Sequence, residues 1–238
     1  MVDISIETFK IVLIGESGVG KTSIISQFID QNFQDDLQTS TGGTFSSKSF
    51  IYGNGKILKF EIWDTAGQER YRSLTKMFYK DTNAAILVYD ITRKISFEEL
   101  QNYWAKEIQE SAPENIILAI VGNKNDLLEE EGQGDFVDEG EAREFAAKLG
   151  ALFYTISAKK NYGINDLFLQ IAKKHTGVED IKIKTDEEDS GEPENSLNNQ
   201  NEALNSKGTM RISKEKTFDN QKKKKKCCRN WLEQEKRS

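Results

Sequence analysis

Cysteine, proline and histidine are nearly missing from this 238-residue chain, which holds two cysteines, two prolines and one histidine. Cys227 and Cys228 are neighbours close to the C-terminal end. They cannot staple a fold, and they lack the companions that a zinc site needs. Long apolar runs are missing too. The longest, Ala84 to Val88 and Ile116 to Val121, fall far short of the roughly 20 residues a membrane-spanning helix requires. The N-terminal stretch carries Asp3 and Glu7 where a secretory signal would be basic, and the apolar run from Ile11 to Ile14 stops at Gly15. A cytosolic protein is therefore expected. The lone histidine, His175, belongs to no motif and reads as a solvated residue at the end of the last helix. With 37% hydrophobic residues the chain is no wholly disordered polymer. Its mean hydropathy of -0.64 still indicates that part of it is not packed.

The formal net charge of -6 conceals three regions. Residues 1–177 hold 26 acidic and 19 basic side chains, residues 178–202 hold 9 and 2, and residues 203–238 hold 4 and 12. The middle region, with Asp186, Glu187, Glu188 and Asp189 followed by Asn198 to Asn201, has no apolar period to offset the entropy of ordering it. This divides the chain into a folded domain at 1–176, an acidic and polar linker at 177–221, and a basic Cys-Cys tail at 222–238.

Within the domain, Ile4 to Ile14 ends in an apolar run that reads as a strand buried on both faces. A helix with Ile24, Ile25, Phe28 and Ile29 on one face follows a glycine-rich turn. Phe45 to Tyr52 and Ile57 to Asp64 flank Gly53-Asn54-Gly55, the signature of an antiparallel hairpin. Three further short apolar runs, Ala84 to Tyr89, Ile116 to Val121 and Leu152 to Ile156, alternate with helical segments. Such alternation predicts an α/β fold with a mostly parallel six-stranded sheet, one antiparallel hairpin strand, and helices on both faces. Ser96 with Glu99, and Asp138 with Glu141, have the spacing of helix N-caps, and Gly150 stops the second helix. No internal repeat is apparent.

Three motifs carry chemistry. Gly15-Glu16-Ser17-Gly18-Val19-Gly20-Lys21-Thr22 fits G-x-x-x-x-G-K-[ST] between a strand and a helix. Its backbone N–H groups can curl around phosphate oxygens, Lys21 can reach the terminal phosphates, and Thr22 can offer a hydroxyl to Mg²⁺. Asn123-Lys124-Asn125-Asp126 stands at a strand end, where ligands bind in open α/β sheets. A carboxylate there accepts from guanine N1–H and the 2-amino group, which selects guanine over adenine. In Trp63-Asp64-Thr65-Ala66-Gly67-Gln68, Asp64 can hold the Mg²⁺ shell. Gly67 can offer its N–H to a γ-phosphate, and Gln68 can orient an attacking water.

In this order the motifs resemble the Ras-like small GTPases, over about residues 8–175. Lys59 to Trp63, Arg70 to Leu74, Phe78 to Asp81 and Val88 to Thr92 resemble the Rab branch in particular. The resemblance implies the P-loop small GTPase fold, bound GTP or GDP with Mg²⁺, and a nucleotide site that also includes Ser23, Ser157, Ala158 and Lys159. It places the backbone N–H of Ala158 on the guanine O6. It also raises the chance that Trp63, Phe78 and Tyr79 contact effectors rather than serving only as core or surface aromatics. By gap-free counting Phe33 matches an aromatic that packs on the guanine ring, the alternative being a core residue at the end of the first helix. The same count puts Ser40 at the invariant threonine that binds Mg²⁺ in the first switch, with Thr41 as the alternative ligand after a one-residue slip. Gly42 and Gly43 should make that loop costlier to order.

Lys222 to Lys226 followed by Cys227-Cys228 resembles a Rab lipid anchor, yet Arg229 to Ser238 lie beyond it. Trimming, S-acylation, a chain longer than its lipidated form, or a merely solvated basic tail all remain open. The function implied is a GTP-hydrolysing switch for vesicle traffic on the cytosolic face of an endomembrane. It would work with a GTPase-activating protein, an exchange factor, a GDP-dissociation inhibitor and GTP-state effectors. A nucleic-acid partner is not expected, because the domain is acidic. Two other readings are a slowly cycling GTP-binding scaffold and an adenine-nucleotide kinase, the latter disfavoured by Asp126.

Overall fold

A computed structural model describes residues 5–33, 44–53, 55–65, 78–128 and 135–183. The chain runs β1 (Ile6–Ile14), α1 (Lys21–Asp30), β2 (Thr44–Tyr52), β3 (Lys56–Asp64) and β4 (Ala84–Asp90). A helix then passes from α2 (Lys94–Glu99) through a π-helical turn at Leu100–Trp104 into α3 (Ala105–Ser111). It continues with β5 (Ile117–Asn123), α4 (Glu139–Lys148), β6 (Leu152–Thr155), α5 (Ile164–Thr176) and β7 (Ile181–Ile183).

The strands form one sheet in the order β6-β5-β4-β1-β3-β2-β7. β1 pairs in parallel with β3 and β4, and β4, β5 and β6 continue the parallel run. β2 is antiparallel to β3, joined through Gly53 and Gly55 with φ of 54° and 83°. The sheet therefore has seven strands where the sequence pattern predicts six. The additional strand, β7, pairs antiparallel with Phe50–Tyr52 of β2 and comes from residues read above as linker. Three residues are too few to show a period, but they satisfy backbone groups on an otherwise open sheet edge.

The sheet separates two apolar layers. Phe9, Ile11 and Leu13 of β1 face α1 and α5, packing with Phe28, Phe60 and Phe168. Val12 and Ile14, one residue out of step, face the other side with Phe97, Trp104 and Ile108. β4 is buried along its whole length, as a central parallel strand covered on both faces should be.

Of the expected caps, Asp138 accepts a hydrogen bond from the Glu141 N–H, and Gly150 follows α4 at φ 63°. Ser96 is not a cap. It lies inside α2, buried, accepting from the Asp90 N–H at 3.0 Å and donating to the Arg93 carbonyl at 2.7 Å. His175 is not merely solvated either. Its Nε2 lies 2.7 Å from Glu7 Oε1 and its ring 4.4 Å from that of Phe9, which ties the end of α5 to β1.

Candidate nucleotide site

The C-terminal ends of β1, β3, β4, β5 and β6 open on one side of the sheet, and each delivers one piece of the site. The turn after β1 needs glycine: at Gly15, φ is 144° and a Cβ would strike the Val88 carbonyl. Gly20, at φ 95°, lies so close to the Asn123 amide that a side chain would displace it. α1 then starts with no side chain capping its first turn, which leaves those N–H groups to an incoming anion.

Lys21 is buried, and its ammonium donates to the Gly15 and Glu16 carbonyls at 2.9 Å each. Burial pulls its pKa down to about 8, against the opposing pull of Asp64 and then Glu16. An ammonium desolvated in this way, and matched mainly by carbonyl dipoles, fits a phosphate group. At the end of β3, Asp64 is fully buried and its Oδ2 accepts from Thr22 Oγ1 at 2.5 Å. A hydroxyl beside a carboxylate is the hard-oxygen donor set that Mg²⁺ takes together with phosphate oxygens. Next along the chain, Thr65 Oγ1 donates to the Leu13 carbonyl at 2.6 Å.

The base side is built by side chains that brace one another. Asn123, 2% exposed, donates through Nδ2 to the Val19 carbonyl at 2.9 Å and accepts at Oδ1 from the Ala158 N–H at 3.1 Å. It thus bolts the phosphate loop to the loop after β6. The Ala158 N–H, which the resemblance assigns to guanine O6, is occupied by that bolt. Ser157 Oγ donates to Asp126 Oδ1 at 2.6 Å and accepts from the Lys160 N–H at 2.9 Å, so Ser157 orients the carboxylate. Lys124 adopts a left-handed backbone, φ 71°, and its ammonium lies 2.6 Å from Asp90 Oδ2.

Not every expected residue joins this cluster. Phe33 is half-buried against the α1 and α5 side of the core. Ser17, Gly18 and Ser23 lie on the loop and first helical turn, and Lys159 is exposed beside Ala158. Ser40, Gly67, Gln68, Cys227 and Cys228 lie outside the described residues. Tyr79 is fully buried, donating to Glu107 Oε2 at 3.3 Å, and so is a core residue rather than an effector contact. Trp63 and Phe78 instead join Phe45, 50% exposed, in an aromatic row with centroid spacings of 5.6 and 5.1 Å. Thr65 and Asp90 lie inside the Trp63–Gln68 and Val88–Thr92 stretches and Phe45 lies on β2, and only their tertiary contacts single them out.

The phosphate loop, the buried lysine and the braced carboxylate at the end of β5 define a P-loop domain shaped for a guanine nucleotide. Residues 10–176 match the Ras family. The chain is 43% identical over 165 residues to the GTP-binding protein ypt5 of Schizosaccharomyces pombe, covering 69% of this chain and 76% of that protein. It is 41% identical over 170 residues to human Ras-related protein Rab-22A, covering 71% and 84%. Against Ras-related protein Rab-5A of Dictyostelium discoideum it is 43% identical over 166 residues, covering 70% and 80%. The chain belongs to the Ras family, within its Rab branch of small GTPases, and hydrolyses GTP to GDP as a switch in vesicle traffic.

Proposed function

We propose that this switch works by a Mg²⁺-dependent cycle in which Ser40 and Gly67 grip the γ-phosphate and Gln68 orients the hydrolytic water. The supporting observation is the convergence of Lys21, Thr22, Asp64 and Asp126 at one end of the sheet. Lys21 meets the β- and γ-phosphates, the turn from Gly15 to Gly20 surrounds them with N–H groups, and Asp126 takes the guanine edge. Thr22, Ser40 and Asp64 would hold Mg²⁺, which would neutralise charge on the phosphate oxygens. Loss of the γ-phosphate frees both switch loops, and effectors distinguish the two states. The row of Phe45, Trp63 and Phe78 lies on β2, on β3 and just before β4, next to those loops. We assign it to effector contact.

A GTPase-activating protein supplies positive charge to the transition state, an exchange factor resets the switch, and a GDP-dissociation inhibitor carries it between membranes. The Lys222–Lys226 run and the Cys227-Cys228 pair attach the tail to the cytosolic face of an endomembrane. One lipid chain alone binds only marginally, so two chains, or one chain with the basic run, are needed. Among the described residues no helix is long and apolar enough to cross a membrane.

Nucleotide extracted from the purified full chain tests the reading. Guanine nucleotide at near one equivalent is expected, and ATP or empty protein overturns it. In single-turnover assays Gln68→Leu should slow stimulated hydrolysis by at least tenfold, in line with the cost of losing a transition-state contact. An unchanged rate would remove Gln68 from the chemistry.

A further inference from the structure

We infer that Asp90 is a positioning residue of the nucleotide site, holding Lys124 in the conformation that sets the turn presenting Asp126; this rests on the guanine-nucleotide reading above. Lys124 immediately precedes the tight turn at Asn125–Leu128 that presents Asp126. It is a non-glycine residue at φ 71°, a conformation unfavourable for an L-residue that persists only where the surroundings impose it. The register of the sheet supplies the cause. β4 and β5 pair in parallel with Asp90 opposite Asn123, which sets the carboxylate beside the residue that follows Asn123.

The carboxylate is itself held on several sides. Asp90 is 1% exposed, its Oδ1 accepts from the Thr92 N–H at 3.0 Å and from Thr92 Oγ1 at 2.8 Å, and its Oδ2 meets Lys124 Nζ at 2.6 Å. Its backbone is pinned as well. The Asp90 N–H donates to Ser96 Oγ, and Ser96 Oγ lies 3.1 Å from the Asp90 carbonyl. Among the described residues the buried charge thus has one cation, Lys124, and neutral donors on its other oxygen. That asymmetry holds the Lys124 ammonium at the end of β4 while the rest of its side chain stays partly exposed. The Asn123 side chain beside it is already committed to Val19 and Ala158, so the backbone turns left-handed immediately after a fixed point. Asp90 and Lys124 therefore act as one unit on the base side.

Dissociation of fluorescent GDP and GTP from the full chain tests this, with Asp90→Asn, Lys124→Met and the double variant. Asp90→Asn should release both nucleotides roughly tenfold faster and by equal factors, because the base is common to both and a charge-assisted contact is lost. In the Lys124→Met background the same change should add less than twofold. Asp90→Glu separates charge from shape. It retains the anion but lengthens the side chain, whereas asparagine retains the shape and loses the charge. Slower release from Asp90→Glu than from Asp90→Asn supports the assignment. The reverse order, or full additivity of Asp90→Asn with Lys124→Met, overturns it and leaves Asp90 a packing residue. If Asp90→Glu does not fold, the double-variant comparison alone decides. A wild-type chain that binds no fluorescent GDP refutes the guanine reading instead.

Discussion

Lys21 shows how a single residue couples binding to the proton. Its pKa is lowered to about 8 from 10.5 because burial strips its hydration. The unfolded chain therefore holds more protons than the folded chain between those values, and this group makes stability rise with pH across that window. A bound polyphosphate restores the reason to be charged. Calorimetry of GDP binding in buffers of different ionisation heat should show net proton uptake above pH 8 and almost none from this group at pH 6.5. Lys21→Met should abolish the uptake along with most of the affinity. The first switch is a second residue-scale question, because Ser40 and Thr41 both offer a hydroxyl. Ser40→Ala should lose Mg²⁺-dependent GTP binding by roughly tenfold, the cost of one charge-assisted contact, while Thr41→Ala keeps it. The opposite result would move the ligand to Thr41.

Among the elements, β7 shows most clearly why some of the fold escapes the sequence. Ile181, Lys182 and Ile183 follow a glycine that ends α5 at φ 67° and precede an acidic run, so composition places them with the linker. They form a strand only because β2 presents an unpaired edge and Ile181 finds cover there, at 8% exposure. Replacing Ile181 by Asp should cost about 2 kcal/mol through lost burial and a desolvated carboxylate. Denaturation of the GDP-loaded protein would register that loss, whereas GDP release should stay the same, since β7 lies away from the phosphate loop. If Ile181→Asp unfolds at the same denaturant concentration as the parent, β7 contributes nothing to stability. The Glu7 carboxyl, held below its usual range chiefly by its hydrogen bond to His175 and also by that from Tyr52, braces the same corner of the sheet. That support is lost as the pH falls through its lowered pKa.

Across the whole molecule, the acidic domain and the basic end suggest a division of labour. On the function proposed above, the basic tail would approach an anionic membrane surface and the acidic domain would be repelled from it. Five consecutive lysines contribute about 1 kcal/mol each near such a surface, an attraction that salt screens. Mass spectrometry of protein isolated from cells should find lipid on Cys227 or Cys228. An intact, unmodified tail would leave only the electrostatic attraction, which is too weak and salt-sensitive for stable attachment.

The sequence alone determined what is encoded locally. The glycine spacing of the phosphate loop, the hydrophobic runs of the buried strands and the Asp138 cap each depend on neighbours along the chain, so their meaning survives reading in one dimension. The order of motifs added the guanine preference in the same way. Tertiary structure alone decided how distant pieces brace one another. It made Asn123 a bolt between two loops and Ser157 the partner of Asp126, took Ser96 out of its expected cap, and set Asp90 beside Lys124. These pairings join residues as far as 104 positions apart, and the register of parallel strands sets them, leaving no trace in local periodicity.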